Sequence, residues 1–118
     1  MTASEKAKEA FRLTRFFSEA VPGRMMGYYE FIKQGLDHAS PLDPATLQLI
    51  VLCIGVAMGN EHCIYQHTKF FIDTGGTREA LISGLTAAVM EGGGRAWGNA
   101  GKALEVFDEI IAEKKEKE

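Results

Sequence analysis

Apolar residues recur along most of the chain at intervals of three and four positions, which is the spacing of one face of an α-helix. Prolines, glycines and capping residues divide the pattern into about six segments, predicted as helices at roughly 4–20, 22–36, 44–58, 61–74 and 77–91 and, for the last, through at least 97–111. No segment of useful length alternates with a period of two, so no sheet is predicted. The pattern therefore predicts an all-α helical bundle.

Two of the predicted helices have distinctive apolar patterns. The helix at 44–58 is apolar on every side after Gln48, which is typical of burial at the centre of a bundle or across a subunit interface. In the last helix a seam with spacings of 3, 4, 3 and 4 predicts packing on another helix. This seam consists of Trp97, Ala100, Leu104, Phe107 and Ile111. The connections include a predicted loop at 38–42 and a predicted turn at 92–94.

Length and composition restrict the function. The 118 residues are expected to form a single domain over 1–118, with a thin core that favours self-association. The net charge of −3 and the lack of a clustered basic face argue against nucleic-acid binding. The start of the chain has no apolar signal-peptide core, and the longest apolar run, 49–58, is about half of what a bilayer requires. We therefore expect a cytoplasmic protein that does not enter a membrane.

The densest polar cluster in an apolar setting lies at 60–67 and contains Cys63 and His67. These two residues are four positions apart and so share one helix face, which the pattern predicts to be buried. Cys63 also lies in the first helical turn, where the helix dipole and free N–H groups stabilise a thiolate. A neighbouring imidazole takes the thiol proton or, once charged, holds the thiolate. Together these effects predict a lowered thiol pKa and a nucleophilic sulfur.

Structural explanations compete with this hypothesis. A lone cysteine in a helix is usually a small buried apolar residue, and the non-catalytic alternative predicts a thiol pKa near or above about 8.5. A metal site is weakly supported, because His62 points about 100° away from Cys63 around the helix, and structural zinc needs four ligands. Neither a metal nor another cofactor is predicted. The second cysteine, Cys53, lies in the apolar run and is predicted to be inert packing.

Several short motifs occur in the order and spacing of a known family. They are a Leu-Asp-Pro helix start, a Cys-x-x-x-His, a Gly-Gly-Thr-Arg-Glu helix start, a Met-Glu-Gly-Gly-Gly turn and a late Ala-Leu pair. Over about 22–107 the chain thereby resembles the carboxymuconolactone decarboxylase family, specifically its alkylhydroperoxidase D-like (AhpD-like) branch. The resemblance implies an all-helical protein that assembles as a trimer or hexamer of interlocked helical hairpins.

The resemblance also implies roles for individual residues. Peroxidase members of the family carry a glutamate followed by Cys-x-x-Cys-x-x-x-His, in which the cysteines cycle between dithiol and disulfide while Glu and His relay protons. In this chain the second cysteine matches Cys63, the histidine matches His67, and a further histidine matches His62. The first cysteine is replaced by Asn60 and the glutamate by Gln48, so neither the disulfide nor the carboxylate relay can form.

Three functional interpretations remain open. In the first, Cys63 attacks a small hydroperoxide and forms a sulfenic acid, which an external thiol reduces. In the second, His67 is the acid/base of a decarboxylase-like lyase acting on a small organic acid, a carboxylated lactone. In the third, the catalytic set has decayed and the protein is a non-catalytic homo-oligomer. The first is favoured, because a first-turn thiol beside a histidine is arranged for nucleophilic chemistry.

Overall fold

Six α-helices make up the fold in the computed structural model, which describes residues 1–36 and 40–118. They are α1 (Ala3–Ala20), α2 (Pro22–Leu36), α3 (Pro44–Met58), α4 (Glu61–Asp73), α5 (Arg78–Gly92) and α6 (Gly94–Glu116). The described residues contain no strand. The prediction of an all-α bundle of about six helices is confirmed. Of the predicted loop at 38–42, residues 38 and 39 lie outside the described residues.

Side-chain caps define where most of the helices begin. Before α3, Asp43 Oδ1 accepts a hydrogen bond of 2.8 Å from the Thr46 N–H, which satisfies one free donor of the first turn. Pro44 follows as the first helical residue, where its missing N–H is not needed. The same kind of cap begins three other helices, at Thr2, Asn60 and Thr77. These local signals explain why the predicted boundaries of the first five helices agree with the structure to within two residues, whereas α6 extends beyond the predicted 97–111 at both ends.

Glycines with positive φ end α3 and α5. Gly59 has a φ of 73° in the left-handed region, and its N–H bonds back to the last turn of α3. Gly93, with a φ of 71°, is the one residue between α5 and α6. The turn predicted at 92–94 is therefore narrower in the structure, because Gly92 still belongs to α5 and Gly94 already belongs to α6.

The core forms around α3, which packs against α4, α5 and α6, while α4 also contacts α1 and α6. Leu52 and Val56 of α3 are completely buried. Burying a side chain of this kind stabilises the fold by about 2 kcal/mol. Leu81 and Leu85 of α5 are buried in the same core. α3 is therefore the central helix of the bundle and contributes side chains to its contacts with α4, α5 and α6.

The apolar pattern of α3 predicted burial either at the centre of the bundle or across a subunit interface. Burial on every side within a single protomer is wrong. Ile50, Ile54 and Met58 are 43%, 53% and 68% exposed. They recur every four positions and so form one stripe along the helix. The three neighbouring helices cover only the remaining faces of α3. Burial across a subunit interface stays a prediction.

The buried stripe of α6 differs from the predicted seam. Trp97 is 73% exposed, while its neighbour Ala96 is completely buried. A methyl group added at Gly92 would lie 2.7 Å from Ala96 Cβ, so α5 and α6 approach each other closely at their turn. An alanine fits this contact and an indole does not. Later in α6, Phe107 and Ile110 continue the buried stripe.

The first two helices contribute little to the core. α1 buries a stripe of small residues, Ala3, Ala7 and Ala10, and α2 buries none of its side chains. Several large apolar side chains on these helices are exposed, namely Leu13, Phe16, Phe17, Met26, Tyr28, Tyr29 and Phe31. The aromatic pairs at 16–17 and 28–29 are therefore not core residues. Within the described residues, none of the helices combines the length and apolarity needed to cross a membrane.

Candidate functional site

Gln48 on α3 and His67 on α4 form a direct hydrogen bond. The distance between Gln48 Oε1 and His67 Nδ1 is 2.7 Å, and the two residues are 19 positions apart in the chain. Because an amide oxygen can only accept, Nδ1 is the donor, and in the neutral imidazole Nε2 then retains its lone pair. The bond therefore fixes both the orientation and the tautomer of the imidazole.

Burial keeps the His67 imidazole neutral. The ring lies edge-on to Phe70 with 5.6 Å between centroids, and Phe70 in turn lies edge-on to Phe11 of α1 at 5.2 Å. Removal of water by this packing lowers the pKa of His67, because the charged imidazolium is poorly solvated there. At neutral pH, Nε2 is thus a free base.

Cys63 lies in the first turn of α4, against α3. Its backbone N–H donates to Asn60 Oδ1 at 3.1 Å, so the amide side chain of Asn60 caps the helix. Its thiol points inward, with Sγ 3.7 Å from the carbonyl oxygen of Val51. The backbone of Gly55 lies against the same sulfur: a methyl group added there would overlap Sγ and lie 2.9 Å from Cys63 Cβ.

The predicted lowering of the Cys63 pKa is wrong for the thiol in this position. Burial raises the pKa of Cys63. Asn60 already accepts the hydrogen bond of the Cys63 N–H, and the Val51 carbonyl faces the sulfur as an acceptor, which favours the protonated thiol. The direction of the shift is the one that the non-catalytic alternative predicts. Any nucleophilic role for Cys63 therefore requires a base.

The stripe through Cys63, His67 and Phe70 lies at the edge of the buried face of α4. These three side chains are only partly buried, whereas Ile64, Thr68 and Phe71, among others, form the buried face. The prediction that the thiol and imidazole lie on the buried face is wrong by one position around the helix. An edge position combines partial desolvation with access from outside the core.

The structure brings together some of the predicted site residues and separates others. Gln48 contacts His67, and Asn60 contacts Cys63. Among the described residues, no hydrogen bond joins the thiol to the imidazole. His62 instead borders an open cavity of about 360 Å³ between α1 and α4. Its buried Nε2 has no hydrogen-bond partner in the part of the chain that the structure describes.

The remaining cysteine has apolar surroundings. A methyl group added at Gly84 of α5 would lie 3.0 Å from Cys53 Sγ and 2.8 Å from Leu49 Cδ1. Burial raises the pKa of Cys53 to about 11, in agreement with the prediction of inert packing. Across residues 1–36 and 40–118, no three His, Cys, Asp or Glu side chains are grouped as metal ligands.

Gly55 was missed by the sequence reasoning. A glycine weakens a helix interior by about 1 kcal/mol relative to alanine. Its presence within an otherwise apolar helix therefore indicates that another part of the chain packs closely against the helix there. The residue that approaches it, Cys63, cannot be identified from this signal alone.

Comparisons with known proteins agree on one family. The sequence profile of the carboxymuconolactone decarboxylase family matches residues 21–106. An uncharacterised protein of Cupriavidus necator is 31% identical over 94 residues, which cover 80% of this chain and 82% of that protein. The apo crystal structure of a carboxymuconolactone decarboxylase family protein from Legionella pneumophila is 30% identical. It superimposes with a TM-score of 0.83 over 91% of this chain and 95% of that one.

Proposed function

The chain belongs to the carboxymuconolactone decarboxylase family, and we propose that it is a thiol-dependent peroxidase of the AhpD-like branch. In this proposal Cys63 reduces a small hydroperoxide, His67 is the base, and an external thiol is the reductant. Gln48 orients the base, and Asn60 holds the first turn of α4. His62 has a supporting role at most, since it borders a different cavity.

The observation that carries the proposal is the hydrogen bond between Gln48 and His67. It leaves a neutral imidazole with a free Nε2 one helical turn from the thiol. Because the pKa of Cys63 is raised, few molecules hold a thiolate at neutral pH, so the proton must leave as the sulfur attacks. In this proposal the neutral imidazole one helical turn away takes that proton, and Gln48 orients it in place of the relay carboxylate.

The proposed reaction converts the hydroperoxide to an alcohol and consumes two external thiols. The Cys63 sulfur attacks one oxygen of the hydroperoxide, the O–O bond breaks, and His67 passes the thiol proton to the departing alkoxide. The products are an alcohol and a sulfenic acid on Cys63. One external thiol condenses with the sulfenic acid, releasing water and forming a mixed disulfide. A second thiol then releases Cys63 and leaves as the oxidised reductant.

A second candidate function uses His67 without the thiol. The observation that favours it is the position of Cys63 Sγ, which faces the Val51 carbonyl. In this candidate Nε2 of His67 exchanges a proton with a small carboxylated lactone, as the family name suggests. A single histidine is limited equipment for this chemistry, so it ranks second.

One assay separates the two candidates. Hydroperoxide consumption with a small dithiol reductant is measured for the native chain, for Cys63→Ser and, as the matched control, for Cys53→Ser. The peroxidase proposal expects turnover in the native chain and in Cys53→Ser, and the uncatalysed rate in Cys63→Ser. Equal rates in all three proteins would refute it. Decarboxylation of a lactone substrate by Cys63→Ser would instead support the second candidate.

We further propose a homo-oligomer, either a trimer or a hexamer. The exposed stripe of Ile50, Ile54 and Met58 on α3 supports it, as does the exposed apolar surface of α2. Large apolar patches of this kind mark interaction sites. Light scattering should give a multiple of the 12.9 kDa chain mass, and Ile54→Lys should shift the population towards monomer. A native monomer would contradict the proposal. A cytoplasmic location stays a prediction.

A further inference from the structure

We propose that Gly55 is a positioning residue, whose missing side chain lets the Cys63 thiol rest inward between α3 and α4. This proposal rests on the proposed function only where it concerns the rate at which Cys63 reduces hydroperoxide. The resting position itself is a property of the thiol and can be tested without any substrate.

The space for the thiol exists because residue 55 is a glycine. Gly55 is buried on the face of α3 that meets the first turn of α4. A methyl group at this position would overlap Cys63 Sγ and would approach Cys63 Cβ to 2.9 Å, closer than two such carbons pack. Any larger residue at 55 must therefore displace the sulfur, and the approach to Cβ also requires α3 and α4 to move slightly apart.

The inward position holds the thiol in its unreactive form. Sγ lies 3.7 Å from the Val51 carbonyl oxygen, so the S–H group is the donor and keeps its proton. The imidazole of His67 is bonded to Gln48 at Nδ1. For Nε2 to take the thiol proton, Cys63 must turn to another of its staggered rotamers, away from α3.

Gly55 thus sets the balance between a resting and a reactive thiol. While the sulfur lies against the glycine, it is partly buried and bonded to the Val51 carbonyl, and it is more accessible when the side chain turns outward. Gly55→Ala closes the inward position and favours the outward rotamer. The expected consequence is a thiol that reacts faster with any electrophile, whether or not the chain consumes hydroperoxide.

The test uses the Cys53→Ser background, so that Cys63 is the single thiol. We expect Gly55→Ala to accelerate alkylation of Cys63 by iodoacetamide at pH 8 by about threefold to tenfold, the effect of losing one hydrogen bond and some burial. Gly84→Ala is the matched control, since it crowds the α3–α5 contact, where the close atoms are side-chain ends at positions 49 and 53, and it does not contact Cys63. An unchanged or slower rate in Gly55→Ala, with a native circular dichroism spectrum, would overturn the proposal.

A second measurement needs no change at Gly55 and so does not depend on whether Gly55→Ala folds. In the Cys53→Ser protein, the S–H stretching band of Cys63 should lie at lower wavenumber than the band of the unfolded chain, since an S–H donor is weakened by its acceptor. A band at the frequency of a free thiol would contradict the inward position. Failure of the peroxidase assay leaves both measurements unaffected, so the two proposals fail separately.

Discussion

The two cysteines occupy contacts of similar construction on opposite sides of α3. Cys53 packs towards Gly84 of α5, and Cys63 packs towards Gly55 of α3. In both contacts the sulfur fills the space that a glycine leaves. Burial raises the thiol pKa in both, to about 11 for Cys53.

The difference between the two contacts lies in their polar groups. Around Cys53 the neighbour is Leu49 and the adjoining sequence is apolar. Around Cys63, an amide caps the helix at Asn60 and a neutral imidazole is fixed by Gln48 one turn further on. The comparison teaches that burial alone makes a thiol inert, and that a base within reach distinguishes a candidate nucleophile from a packing residue.

The largest effect is expected from removing the base. In the Cys53→Ser background, His67→Asn should slow oxidation of Cys63 by a small hydroperoxide by about 10²- to 10⁴-fold, the usual contribution of general-base catalysis. Trapping of the sulfenic acid with a dione, followed by mass spectrometry, measures this rate. In a Cys63→Ser background the same change should leave oxidation of Cys53 unaltered. Equal losses at the two thiols would remove the distinction between the contacts.

The next largest effect concerns the reactivity of the two thiols themselves. With a pKa of about 11, Cys53 is ionised in about one molecule in a thousand at pH 8. Allowing for the higher nucleophilicity of a more basic thiolate, its alkylation should be about tenfold to twentyfold slower than in the urea-unfolded chain. Cys63 should react faster than Cys53. Iodoacetamide labelling of the two single-cysteine variants tests this order, and the reverse order would contradict it.

A smaller effect is expected from the helix cap that only the Cys63 contact possesses. Asn60→Ala should lower the free energy of unfolding by about 1 kcal/mol, because the Cys63 N–H loses its acceptor. Asn60→Asp retains an acceptor and should change stability by a few tenths of a kcal/mol at most. Urea unfolding measures both. If the two variants lost the same free energy of unfolding, loss of the capping hydrogen bond would not explain the effect of Asn60→Ala.

The smallest effect is a dependence of stability on pH. Because burial lowers the pKa of folded His67 below the unfolded value of about 6.5, the unfolded chain binds more protons in acid. The free energy of unfolding should therefore decrease as the pH falls below about 6.5 towards the folded pKa. His67→Asn should reduce this decrease between pH 7 and pH 5, and Cys53→Ser should not. Parallel urea curves for all three proteins would show that His67 does not contribute.

The parts of the fold that follow local rules could be predicted. The six helices and their caps follow from neighbouring residues, as at Asp43 and Asn60. The adjacency of Cys63 and His67 also follows from helical geometry. The buried stripe of α6 could not be predicted at its beginning, because the choice of Ala96 over Trp97 depends on how closely α5 approaches.

The sequence by itself determined which residues are helical and which side chains share a face, since periodicity and capping act over a few positions. Only the tertiary structure decided that Gln48 reaches His67, that Gly55 receives the Cys63 sulfur, and that burial moves both pKa values towards the neutral forms. The physical reason is that desolvation and close packing depend on groups that are distant in the chain, and helical spacing carries no information about them.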